Sequence, residues 1–190
     1  MNTAYLIGMR ALFATLLIAA LMPLSALAQM PSAAYEDGAV FLMRHALAPG
    51  TGDPDNFELG DCSTQRNLSA QGRRQAQAIG LMLSEADVGV DYVYTSQWCR
   101  CRETAELLNL EEVIDLPALN SFFRDRSRGA AQTEELKRFL TTIDQASRPV
   151  LVTHQVNITA LTGVVPRSGE TVIVRLVDRE VVVTGRIPPP

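Results

Sequence analysis

Two short apolar runs, Ala39–Met43 and Val150–Val152, carry no alternating polar residue, and each leads through one polar residue into a histidine, Arg44-His45 and Thr153-His154. A strand with one wet face alternates polar and apolar side chains, so an unbroken apolar run marks a strand buried on both faces. Strands of that kind pair in parallel and require helices above and below the sheet. The intervening segments supply them. Ser69 is placed to cap a helix that carries Ala76, Ile79 and Leu83 on one face. A second helix is expected over Cys99–Leu108, and a third over Thr133–Gln145 with Leu136, Phe139, Leu140 and Ile143 at helical spacing. Tyr92–Tyr94 and Val113-Ile114 read as short strands, and Thr171–Val177 with Val181–Thr184 as a hairpin turning at Asp178-Arg179-Glu180. The expected fold is α/β: a three-layer α/β/α sandwich with a mainly parallel sheet and a C-terminal antiparallel hairpin. Leu47–Arg66 and Pro117–Ala131 lack periodicity, and loops of that length in a compact domain usually serve function.

The first residues do not belong to this pattern. Arg10 precedes an apolar run, Ala11–Leu24, and small residues follow at Ala26 and Ala28. This arrangement is that of a secretory signal peptide cleaved after Ala28. The alternative, an uncleaved anchor, would need about 20 apolar residues to span a bilayer, and the run is shorter. The expected organisation is therefore a signal peptide at 1–28 and a single domain at 29–190, placed in the periplasm with no stable membrane span after cleavage. Loss of Arg10 takes the net charge from −4 to −5. An acidic chain offers no basic footprint for nucleic acid, and any anion it binds must meet locally placed arginines.

Cys62, Cys99 and Cys101 all lie beyond the cleavage site. In an oxidising compartment three cysteines imply one disulfide and one free thiol. Cys99 and Cys101 are too close in sequence for the usual zinc-ligand spacing, and no histidine lies beside the third. Cys62 is expected to pair with Cys99 or Cys101, with Cys99 preferred.

His45 and His154 are the chain's only histidines, and both sit just past the carboxyl end of a buried strand. Ligands of open α/β sheets bind at that end of the strands, so neighbouring strands would bring the two imidazoles together. Around them, Arg44-His45-Ala46 resembles the Arg-His-Gly signature of the histidine phosphatase superfamily, which includes phosphoglycerate mutases. Ser96, Arg100, Thr104 and Ala105 are spaced as in that family's Ser-x-x-x-Arg-x-x-x-Thr-Ala block. Val152-Thr153-His154 resembles its second-histidine strand, and Asn67-Leu68-Ser69 through Gly72 and Ala76 the helix after its first loop. The blocks occur in the family's order and cover most of Ala39–Gly163.

The resemblance implies a metal-independent phosphoric monoester hydrolase that needs no cofactor. His45 would be the nucleophile, Arg44 and Arg100 would fork onto phosphate oxygens, and His154 would donate to the transferring group. Arg66 and Asn67 are candidate substrate contacts at the pocket mouth. Arg102 is expected to face away and pair with Glu106 one helical turn on. Ala46 replaces the signature glycine, as in exported members resembling lipopolysaccharide-core heptose phosphatases. A second departure concerns the acid that would protonate the leaving alkoxide. Where members usually carry it, this chain reads Leu119, Asn120, Ser121. Asp125 is the preferred substitute, ahead of Asp53 and Asp55 in the loop after His45. The expected substrate is a small phosphomonoester, with envelope sugar phosphates as one candidate. A non-catalytic module that binds phosphorylated ligands is the alternative. A mutase is less favoured, because the long insertions of phosphoglycerate mutases are missing.

Overall fold

The computed structural model describes residues 30–190; the expected signal peptide lies outside the described residues. Val40–Arg44 (β1) pairs in parallel with Val150–Thr153 (β4), which pairs in parallel with Val93–Thr95 (β2), which in turn pairs in parallel with Val113–Asp115 (β3). On the other side of β1, Thr171–Val177 (β5) runs antiparallel and continues through a tight turn into Glu180–Ile187 (β6). The sheet order is therefore β3-β2-β4-β1-β5-β6. The lack of polar alternation in β1 and β4 is explained by this order, since both are interior strands.

Successive residues of β1 feed two separate cores. Phe41 and Met43 pack with Ile79 and Leu83 of helix α1 (Ala70–Glu85) and with Ala105 and Leu108 of helix α2 (Cys99–Leu108). Val40 and Leu42 point to the opposite face. There they meet Leu136 and Leu140 of helix α3 (Gly129–Leu140) and Ile158 and Leu161 of helix α4 (Gln155–Thr162). This is the expected three-layer arrangement. Phe41, Leu42, Met43 and Leu151 are fully buried, each contributing about 1.5–3 kcal/mol of transfer free energy.

Two helices differ from expectation. α3 starts at Gly129, earlier than the Thr133 read from periodicity; Gly129 packs beneath the Phe122 ring, where an added Cβ would lie 3.1 Å from Cε2. It also ends earlier, at Leu140. Thr141 Oγ1 and Thr142 Oγ1 each donate at 2.7 Å to carbonyls of the last turn, competing with helix continuation. α4 was not expected at all; its eight residues are rich in β-branched side chains and give little periodic signal. α1 begins where Ser69 Oγ accepts from Gly72 N at 3.0 Å. Gly72 is required there, since a Cβ would come 2.1 Å from the Leu47 carbonyl oxygen.

The C-terminal hairpin turns through Asp178 and Arg179, both in the left-handed region at φ 50° and 67°, as a two-residue turn between right-twisted strands demands. Among the described residues no helix is long and apolar enough to cross a membrane.

Candidate active site

The register of β1 and β4 decides where the histidines fall. Arg44 lies opposite Thr153, and His45 N donates to Thr153 O at 2.9 Å. Both histidines therefore leave the sheet at the same edge, and their ring centroids are 5.5 Å apart in an edge-to-face arrangement. β2 ends beside them, so Ser96 N bonds Val152 O at 3.0 Å and the Ser96 hydroxyl reaches His154. A cavity of about 200 Å³ opens at this edge, lined by Arg44, His45, Asp53, Arg66, Arg100 and His154, with Phe123 and Gln155 toward its mouth.

Hydrogen bonding assigns each ring its tautomer. His45 Nδ1 lies 2.8 Å from the Ala46 carbonyl oxygen, which can only accept, so Nδ1 carries the proton and Nε2 keeps its lone pair. Burial, and then the charge of Arg100, hold His45 well below the usual histidine range. It is a neutral imidazole near pH 7, with a free nucleophilic nitrogen. His154 is fixed by a relay. Asn120 Oδ1 accepts from Gln97 N at 2.8 Å and from Ser96 Oγ at 3.1 Å. The Ser96 oxygen is then left to accept from His154 Nε2 at 2.9 Å. His154 Nδ1 faces Arg100 Nη2 at 3.4 Å. The one proton of neutral His154 is thus committed to Ser96, and donation to a bound oxyanion requires a second proton. Burial and Arg100 disfavour that proton; a dianion in the cavity favours it.

Three guanidinium groups surround the histidines. Arg44 is the last residue of β1 and ties itself to Pro166 O through Nη1 at 2.9 Å. Arg100, in the first turn of α2, is 2% exposed. Arg66 donates from Nε to Gly52 O at 2.7 Å and from Nη1 to Ala48 O, holding the long loop after His45. Burial, and then the neighbouring Arg100, push the Arg66 pKa down to about 10, so it stays cationic. Arg44 Nε and Arg100 Nε are buried N–H donors without a partner among the described residues. Orphaned buried donors are costly, and an oxyanion in the cavity would relieve them.

The third helix-borne block also has a physical role. Thr104 Oγ1 donates to Arg100 O at 2.6 Å and accepts from Ala46 N at 3.1 Å, locking α2 to the residue after His45. Cys62 and Cys99 form a disulfide with Cα atoms 5.7 Å apart, and Cys101 is free and buried. The bond closes a span of 37 residues, worth about 4 kcal/mol by chain entropy. It fastens the loop to the residue preceding Arg100. Burial raises the Cys101 thiol to about 12, so it is inert.

Three residues singled out in the sequence lie elsewhere than expected. Asp125 is exposed and does not line the cavity; its carboxylate caps the short turn at Arg126–Arg128, accepting from Ser127 N at 3.1 Å. Asn67 lies on a separate surface groove beside the disulfide, donating to Cys62 O at 2.6 Å. Arg102 pairs with Asp115 at the end of β3 rather than with Glu106. Arg44, His45, Arg66, Arg100 and His154 do come together.

Asp53 is the residue that sequence reasoning undervalued. It forks onto Arg100, Oδ1 to Nη1 at 2.5 Å and Oδ2 to Nη2 at 3.2 Å, and accepts from Trp98 Nε1 at 3.0 Å. The usable signal was its glycine-rich setting, since Gly50 and Gly52 sit at φ +94° and +71° and turn the chain back into the cavity. Among the described residues no three His, Cys, Asp or Glu side chains gather as metal ligands.

Fold and cavity together define an α/β protein with a pocket lined by two histidines and three arginines at the carboxyl end of its parallel strands. The sequence profile of the histidine phosphatase superfamily, branch 1, matches residues 40–149, and the chain belongs to that superfamily. Similar solved structures include the protein histidine phosphatase SixA complexed with tungstate, at TM-score 0.56 and 16% identity over 80% of this chain and 97% of that one. The alpha-ribazole phosphatase from Shigella flexneri aligns at TM-score 0.55 and 15% identity, over 77% and 94%. The mycobacterial glucosyl-3-phosphoglycerate phosphatase with VO3 aligns at TM-score 0.56 and 16% identity, over 77% and 96%. At these identities the likeness is one of fold. No curated protein sequence matches the chain.

Proposed function

We propose that the protein hydrolyses a small phosphomonoester through a phosphohistidine on His45, without a metal, after export to the periplasm. The observation that carries this reading is the charge balance of the cavity. Three guanidinium groups face one carboxylate around two neutral imidazoles, a surplus that a phosphate dianion would neutralise. The unpartnered N–H groups of Arg44 and Arg100 are the donors for its non-bridging oxygens. In this reading His45 Nε2 attacks phosphorus, the P–N bond forms as the ester P–O bond breaks, and water then opens the phosphoramidate to inorganic phosphate. Export rests on the Arg10–Ala28 segment, and it would place the enzyme among envelope sugar phosphates, the substrate class we favour.

The test is rapid quench with ³²P-labelled p-nitrophenyl phosphate, followed by peptide mapping. Label should appear on His45, survive alkali and be lost in acid, and His45→Ala should abolish both label and turnover. His154→Ala should lose on the order of 10²-fold in kcat, as for one preorganised donor. EDTA should leave the rate unchanged. Label on a hydroxyl residue would overturn the mechanism. Phosphate binding without turnover would favour the non-catalytic module instead.

A further inference from the structure

The proposed reaction lacks an acid for the leaving alkoxide, and Asp125 is too far out to serve. Asp53 is the only carboxylate that lines the cavity among the described residues. Its side chain is 12% exposed, and it takes both terminal nitrogens of Arg100 in a planar fork. Carboxylate and phosphate compete for that same guanidinium edge. A phosphate that reaches beyond the free Nε to fork onto the two terminal nitrogens of Arg100 must dislodge Asp53. Asp53 cannot go far. Arg66 grips the preceding Gly52 carbonyl, Trp98 Nε1 holds the carboxylate itself, and the Cys62–Cys99 bond fastens the same loop.

The geometry points to Asp53 as the acid of the reaction, armed when the substrate's phosphate displaces it from Arg100. This inference rests on the phosphomonoesterase reading. While it is bound to Arg100, the carboxylate is held below the usual range and ionised; burial pushes the other way but is outweighed by the Arg100 and Trp98 hydrogen bonds. Displacement removes its bidentate cation and puts a dianion beside it, and both changes favour protonation. The other charged or titratable groups lining the cavity with it are Arg44, His45, Arg66 and His154, and buried Cys101 also feels its charge. The arginines keep their charge throughout, so the incoming dianion is what changes. The proton, taken from water or from the ester monoanion, passes from Asp53 to the departing oxygen as the P–O bond breaks, giving the free alcohol. Asp53 then accepts a proton from the water that attacks phosphohistidine, and inorganic phosphate leaves. A second role follows from the same contact: resting Asp53 screens Arg100 from weaker anions.

Asp53→Asn keeps the shape and removes the acid, and Asp53→Glu keeps an acid. Both are compared with wild type, as oxidised protein, on p-nitrophenyl phosphate and on 2-glycerophosphate. Asp53→Asn should lose about 10²-fold or more in kcat on the alkyl ester, the usual size of general-acid help, and little on the aryl ester. Asp53→Glu should recover part of the alkyl rate. Calorimetry with inorganic phosphate should show about tenfold tighter binding to Asp53→Asn, the size of one ionic hydrogen bond no longer to be broken. In buffers of different ionisation enthalpy, wild type should take up more protons per phosphate bound than Asp53→Asn. Equal losses on both esters, or weaker phosphate binding by Asp53→Asn, would make Asp53 only a positioning residue for Arg100 and overturn the inference. Unchanged rates on both esters would do the same. A wild type that hydrolyses neither ester sinks the phosphomonoesterase reading itself, so the two failures are distinct.

Discussion

At the scale of single residues, the site separates groups that announce themselves from groups that do not. His45 and His154 were legible because each follows a strand with no polar alternation, and such strands run through the middle of a sheet. Asp53 was not. In sequence it is one of several loop carboxylates, with Asp55, Asp61 and Asp125, and the glycines before it are the one local sign that it turns inward. That choice is made by the turns at Gly50 and Gly52 and by the distant Arg100 and Trp98. The histidines also set a pH dependence. The His45 imidazole is held below its unfolded value of 6.5 by burial and by Arg100, so the unfolded chain binds a proton first on acidification. Its contribution to stability is full above pH 6.5 and is lost as the pH falls toward the folded pKa. The folded His45 imidazole stays neutral over part of that same range. The acid limb of kcat/KM for p-nitrophenyl phosphate should therefore lie below pH 6.5, while denaturant midpoints already decline between pH 7 and 5. An acid limb at or above 6.5 would mean that His45 is not desolvated in solution.

Among the elements, those with an unambiguous local signal were read correctly: β1, β4, the Ser69-capped α1, α2 and the terminal hairpin. α4 and the ends of α3 were not, because they are settled by contacts the local sequence does not carry. Gly129 under the Phe122 ring is one example, and the hydroxyls of Thr141 and Thr142 folding back on the last turn are another. The junction between α1 and the loop after His45 gives a sharp test. Leu47 O accepts from Ser69 N at 3.0 Å and sits where a side chain at position 72 would go. Gly72→Ala should cost about 1–3 kcal/mol by overpacking. It should also lower kcat, because the displaced backbone runs straight into Ala46 and His45. A thermal scan paired with steady-state rates checks both; a variant with native stability and native rate would show that α1 is free to shift outward.

For the whole molecule, the cavity joins pieces from distant parts of the chain: β1 brings Arg44 and His45, α2 brings Arg100, and β4 leads into His154. A ligand that bridges them stabilises the entire fold, not one loop. Inorganic phosphate at a hundred times its Kd should add about 2.7 kcal/mol, raising Tm by roughly 5–10 °C for a chain of this size. Arg100→Ala should abolish the shift and His45→Ala should retain most of it, since the imidazole contributes a lone pair rather than a charge. The covalent bond acts on a different timescale. Cys62 and Cys99 both leave the ribosome before β4 exists, yet β2, which leads into α2, is joined to β1 only through β4. In any compartment that oxidises thiols as a chain emerges, half of the pocket is sewn together while the other half is still unmade. At that moment Cys101 is not yet sealed in the core and competes with Cys99 for the same partner. Correct pairing is then a race between oxidation and the arrival of the strand that buries the spare thiol.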